Sequence, residues 1–286
     1  EERLEALADA RIDLEKADEL GTQDPKIRSQ LCVEWLALGE LDRADDELKA
    51  VENLAQEELE GYYFDVNDWT ATRFGLALEL AMREGDPNEA ASKADEALAL
   101  LTVERHRVRI LPLAIISYVA AGNASDANDY LDEYLDATHA AGSTTQERLQ
   151  LAYLRALVAT AQDRAYRVID ILQPVLADDV SDFRLWGLLA GAYRMTNQPS
   201  RAVSALTRCL RLSPQDSQAR LRLQLAGEHI KLRDWNGVLE HAQLAESLNP
   251  TDTATRLLRI EAVAHTTAGQ GQAGAARLKE LSSELT

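Results

Sequence analysis

The sequence predicts an all-α fold, a solenoid in which antiparallel helix pairs stack side by side, and three observations predict it. Nearly every stretch of the 286 residues reads as an amphipathic helix of about a dozen residues closed by a short polar break. Pro and Gly are scarce and sit in the breaks, and no alternating β-branched run marks a strand. The third observation is internal similarity: one helix-turn-helix unit recurs, and such a unit buries its apolar stripe only by stacking on its neighbours.

The clearest unit begins at Phe183. Trp186 is followed by Leu189, Ala190 and Tyr193 at spacings of three, four and seven, and then by Ala202, Leu206, Cys209 and Pro214. This pattern resembles the tetratricopeptide repeat, which reads W-x2-L-G-x2-Y, A-x3-F and P over about 34 residues. Ala190 replaces Gly, Leu206 replaces Phe and Cys209 fills a slot for a small residue. The same register places units at 25–58, 71–104, 108–141, 149–182, 183–216, 219–252 and 253–286 of one array over 1–286. Residues 1–24 read as a partial repeat and 59–70 as an aromatic insertion. The resemblance implies a right-handed superhelix with the first helix of each pair on the concave wall. The opening inside a repeat, and a finish without an obvious polar capping helix, predict a piece of a longer protein.

Each element has its own signal. The small residue opening the second helix recurs as Ala10, Ala44, Ala90, Ala127, Val168, Ala202 and Val238. Four residues later stand Leu14, Leu48, Ala94, Leu131, Leu172, Leu206 and Ala242. The stop after the first helix holds Gly39, Gly85, Gly122 and Asn197, residues that take a left-handed backbone at low cost. Asp163, Arg233 and Thr267 fill that slot elsewhere and depart from the rule. Asp24-Pro25 and Asp86-Pro87 read as an N-cap followed by proline at the first helical position. Pro112 predicts a late helix start, and Pro174 a kink or break. Leu41 to Glu60 reads as one overlong helix stopped by Gly61, and Gly269, Gly271 and Gly274 crowd the last inter-helix turn.

Composition removes several classes of function. The formal charge is −18, which argues against nucleic acid as the partner. The charge is uneven: residues 1–148 hold 34 acids and 14 bases, and the remainder 14 acids and 16 bases. No apolar run reaches the roughly 20 residues of a membrane span. Cys32 and Cys209 occupy slots for small packed residues and read as inert core thiols. No phosphate loop, nucleophile elbow or His-Glu-x-x-His motif appears, so no catalytic residue, metal or cofactor is assigned. A helical-toroid enzyme would need clustered acids on the inner wall, where only isolated Glu79 and Glu261 stand. His229 and His265 fall on first helices of consecutive units, and could be neighbours, but lack further ligands at helical spacing.

The inner wall is where candidate binding residues collect. Its later part presents Arg184, Arg194, Arg220 and Lys231, interleaved with Gly187, Gly191 and Gly227, and with Tyr153 on the preceding unit. Over 183–235 there are nine bases against three acids. Arginine suits bidentate contact with carboxylates, so one reading is a groove for acidic peptide segments or acidic polysaccharide. The other is that these arginines pair with the acidic N-terminal half or with solvent. The glycines mark a close approach, by a neighbouring helix or by a ligand backbone. Tyr62, Tyr63, Phe64 and Trp69 read either as interface anchors or as cover for an adjacent helix. The carboxylate clamp of one specialised tetratricopeptide subclass is absent, since its Lys and Asn places read Ser29, Val33, Gly75, Glu79 and similar residues.

What the resemblance implies is a non-enzymatic scaffold that binds a protein or peptide partner in its concave groove. Family associations lean towards bacterial cell-envelope work, exopolysaccharide export or pilus assembly, with a periplasmic place. The alternative is a sensory or regulatory arm of a larger signalling protein.

Overall fold

The computed structural model describes residues 11–18, 24–52, 66–138, 144–176 and 180–267, and these are helices joined by short turns with no strand among them. Residues 11–18 are helical. The chain divides into two compact units, Glu1–Arg148 and Leu149–Thr286. The first holds α1 (Pro25–Leu38), α2 (Leu41–Glu52), α3 (Val66–Glu84), α4 (Pro87–Leu100), α5 (Glu104–Ala120) and α6 (Ala124–Thr138). The second holds α7 (Thr145–Ala161), α8 (Ala165–Val175), α9 (Phe183–Met195), α10 (Pro199–Leu212), α11 (Gln215–Lys231), α12 (Trp235–Leu248) and α13 (Thr253–Thr267). Successive helices from α1 to α6, and from α8 to α13, pack against each other.

The turn inside each helix pair is the constant part of the fold. Gly39, Gly85, Gly122, Asp163, Asn197 and Arg233 all have positive φ, between 52° and 83°. At each, the residue itself donates its amide three residues back and the next residue donates five back, as in Gly39 to Leu36 and Glu40 to Trp35. The same pair of bonds recurs at Asp163 to Thr160 with Arg164 to Ala159, and at Arg233 to Ile230 with Asp234 to His229. This Schellman geometry satisfies the last carbonyls of the first helix and reverses the chain. Asp163 and Arg233, which break the glycine rule in sequence, obey it in backbone. A side chain in that conformation costs about 1 kcal/mol relative to glycine. Arg233→Gly should therefore stabilise the protein by about 1 kcal/mol, read as a higher denaturant midpoint at unchanged slope.

The turn also fixes which residues face inward. Ala44, Ala90, Ala127, Val168, Ala202 and Val238 each stand three places into the second helix, and all are buried to 1% or less. Leu48, Ala94, Leu131, Leu172, Leu206 and Ala242, one helical turn later, are buried as well. Small side chains here let the two helices of a pair approach, and the following residue fills the space between them.

The outer ends of the pairs obey local chemistry instead. α3, α5, α7 and α11 each begin about one helical turn before the repeat spacing places them. α7 starts where Thr144 and Glu147 form a reciprocal capping box: the Glu147 amide donates to Thr144 Oγ1 at 3.2 Å, and the Thr144 amide to Glu147 Oε2 at 2.6 Å. Asp24 and Asp86 accept from the Lys26 and Glu89 amides, each with proline at the first helical position.

One local expectation meets a different outcome, and two take a definite form. Pro112 does not open a helix: it lies inside α5, which begins at Glu104. Its ring leaves the Val108 carbonyl without an amide, and the burial of Ile110, Leu111, Ala114 and Ile115 around it offsets that loss. Pro174 stands one residue before the end of α8, so the break it predicts is the helix terminus. Trp69 belongs to α3 and is only 5% exposed, which agrees with the structural one of its two readings. Tyr62, Tyr63 and Phe64 lie outside the described residues, as does the stretch from 53 to 60.

In the first unit, Trp35, Leu36, Cys32 and Ala44 form a fully buried cluster. Burial, then Glu47 and Glu79, push the Cys32 thiol up to about 12, so it stays protonated. Arg28 on α1 reaches Glu47 on α2 at 2.8 Å, and Glu47 is 4% exposed. The Asp95 carboxylate on α4 accepts both Tyr118 from α5, at 2.6 Å, and Tyr130 from α6, at 2.5 Å. Three helices are thereby tied at one carboxylate.

Candidate functional site

The second unit contains an open groove of about 350 Å³ between α7, α9 and α11. Tyr153, Arg184, Gly187, Gly191, Arg194 and Arg220 line it together, with Leu188, Ser217 and Gln224. Six of the eight residues assigned to the concave wall from sequence thus share one surface. Gly227 and Lys231 lie on α11 and are not part of the lining.

The cations of this groove pair locally. Asp182 caps α9 through the Arg184 amide at 2.9 Å and holds the Arg184 guanidinium by bonds of 3.1 and 2.8 Å. Burial pushes the Asp182 carboxyl up, but the hydrogen bonds from Arg184 outweigh it and leave it below the usual carboxylate range. The same guanidinium lies over the Tyr153 ring at 4.8 Å, and burial raises the Tyr153 hydroxyl above its ordinary value. Arg194 and Lys231 share Glu228, at 3.0 and 2.8 Å. Glu228 is 1% exposed, so these bonds compensate a buried carboxylate. Arg220 is exposed and makes no ion pair with another described residue. Of the three lining cations, Arg184 and Arg194 are paired, with Asp182 and Glu228, which leaves Arg220 as an excess positive charge in the groove.

The arginine partners are therefore acids of the same unit. Sequence reading missed Asp182 and Glu228 as the partners of these arginines; Glu228 lies 34 residues after Arg194, on the first helix of the next repeat. It also missed Gln224, and Ser217, which becomes a groove residue once α11 begins a turn earlier than the spacing suggests.

The glycines answer differently. A Cβ on Gly191 or Gly227 would meet nothing within 4 Å, and one on Gly187 would meet Cys209 Sγ at an ordinary 3.7 Å. Packing of a neighbouring helix therefore does not require glycine at 191 or 227. Cys209 is buried, its Sγ 3.3 Å from the Phe183 carbonyl, and burial raises its thiol.

The histidines pair in another way than the sequence suggests. His229 faces His241, with ring centres 5.3 Å apart, and its Nδ1 lies 2.8 Å from Asp234. His265 stacks on Trp235 at 3.6 Å. No group of three or more His, Cys, Asp and Glu that could hold a metal lies together among the described residues. No helix of the described residues is long and apolar enough to cross a membrane.

No family model and no curated protein matches the chain by sequence. Solved structures do match. A chain of the APC/C hetero-tetramer Cut9–Hcn1 is similar over 90% of this chain and 46% of its own length, with 15% identity and a TM-score of 0.63. This chain thus spans about half of that relative. PilW, a type IV pilus biogenesis factor, is similar over 83% of this chain and 99% of its own, with 13% identity and a TM-score of 0.60. A tetratricopeptide repeat protein from Parabacteroides merdae ATCC 43184 is similar over 90% of both chains, with 14% identity and a TM-score of 0.58. At these identities the likeness concerns architecture, and it agrees with the turns, the buried small residues and the absence of strands among the described residues: the chain has the all-α fold of tetratricopeptide repeat proteins.

Proposed function

We propose that the chain is a non-enzymatic scaffold that holds an acidic segment of a partner protein in the groove between α7, α9 and α11. The observation that carries this reading is the groove itself. It gathers three arginines and a tyrosine around a glycine, Gly191, with open space above it. An extended backbone can approach that glycine while its carboxylates meet arginine forks. The walls are helices, so little ordering entropy is lost on binding. Acidic polysaccharide carries the same charge and competes as a ligand class. A role in bacterial envelope or pilus assembly is supported by the likeness to PilW.

The test uses Arg220→Glu. Arg194 is unsuitable for charge reversal because it holds buried Glu228. Binding of fluorescent Glu-rich peptides, followed by anisotropy across a salt series, should weaken about tenfold in Arg220→Glu and lose part of its salt dependence. Competition by an oligouronate reports the polysaccharide class. Unchanged affinity and salt slope in the variant would remove the groove reading.

A further inference from the structure

The second unit has another concavity, of about 600 Å³, on the edge formed by its helix-pair turns. Asp163, Arg164, Tyr166 and Arg167 supply one side and Met195 and Asn197 the other. None of these residues lines the groove described above.

Three features of this edge are unusual together. Tyr166 is 71% exposed and Met195 51% exposed, so two large apolar side chains face solvent across one hollow. Single exposed apolar residues are ordinary, but these two stand on opposite sides of one concavity, where one apolar side chain can meet both. Arg164 and Arg167 are exposed and make no ion pair with another described residue, so two cations stand against one acid, Asp163. The turns themselves also differ between units. The left-handed position is Gly39, Gly85 and Gly122 in the first unit, but Asp163 and Asn197 here. Each keeps a polar side chain on the rim where glycine would be less strained.

We propose that this turn edge docks a partner protein segment presenting a carboxylate beside an aromatic or aliphatic side chain. The carboxylate meets the Arg164 and Arg167 guanidinium groups, and the apolar side chain lies between Tyr166 and Met195. Tyrosine supplies a rigid amphipathic anchor, and methionine adapts to the shape of what it meets. Asn197 and Asp163 offer hydrogen bonds to the segment's backbone. A second copy of this chain is the poorer occupant, because two proteins of charge −18 repel each other. The assignment stands independently of the groove.

The experiment is a selection of short random peptides displayed on phage against the intact chain, followed by affinity measurement of the recovered peptides. Acidic peptides with an aromatic or aliphatic residue are expected. One class of them should weaken at least about tenfold in Tyr166→Ser, in Met195→Ser and in the Arg164→Glu, Arg167→Glu double variant, whereas peptides that weaken only in Arg220→Glu belong to the groove. All four side chains are exposed, so melting curves should match the parent. The assignment is overturned if no recovered peptide responds to Tyr166→Ser, if the responsive peptides lack acids, or if every peptide that responds to Tyr166→Ser is also lost in Arg220→Glu. It is equally overturned if sedimentation velocity shows self-association that Tyr166→Ser removes.

Discussion

Replacing Arg28 with alanine should destabilise the first unit by about 3 kcal/mol at neutral pH, because it leaves Glu47 buried without its cation. Glu47 already sits at an expensive place. Burial raises its pKa above the ordinary carboxylate value, the hydrogen bond from Arg28 works against that, and Asp18 adds to the rise. A carboxyl whose pKa is higher folded than unfolded favours the folded state at low pH, and that contribution is lost as pH rises through the folded value. Removing Arg28 raises the folded value further. The deficit of Arg28→Ala should therefore be largest near neutral pH and shrink on acidification, as Glu47 takes up its proton. Urea unfolding of parent and variant across that range checks both the size and the slope. A deficit independent of pH would mean that Arg28 acts through the packing of its stem alone.

The second large effect concerns Leu206. Its side chain is 1% exposed and sits one turn after Ala202, in a cluster that includes Leu189, Ala190, Tyr193 and Leu172. Leu206→Ala should cost about 3 kcal/mol, the transfer energy of the lost atoms plus the cavity they leave. In a stacked array the damage falls on the pair concerned and its immediate neighbours. Amide exchange should accelerate most in α9, α10 and α11. Uniform acceleration along the whole chain would instead indicate one cooperative unit, and the nearest-neighbour account would fail.

Much of the fold was legible because it depends on short-range rules. The interval from the helix stop to the first small residue of the next helix is set by one turn geometry, and Gly39, Gly85 and Gly122 announce it. The rule holds at Asp163 and Arg233 too, since six similar hydrogen-bonded turns over-determine a backbone that those residues do not prefer. What escaped was set by contacts between helices or by caps. Pro112 reads as a helix start by its missing amide, yet burial of its neighbours carries α5 through it. α11 begins a turn earlier than the repeat spacing, and so Ser217 enters the groove. Arg184, Arg194 and Arg220 were found by charge and spacing. Their acids were not, because Asp182 and Glu228 look ordinary until the helices are placed side by side. The turn edge was invisible for a related reason: Tyr166 and Met195 are far apart in sequence and read as two isolated surface residues.

The bond between Arg194 and Glu228 bears on how such a protein can change its length. The two residues stand on the first helices of successive modules, 34 residues apart, and carry opposite signs. Neighbouring modules are thus keyed to one another and are not interchangeable beads. Excising the module at 183–216 would bring the sunken Glu228 against the place held by Thr160, a hydroxyl with no charge to offer. Duplication or loss of this module would therefore need a compensating substitution at this joint.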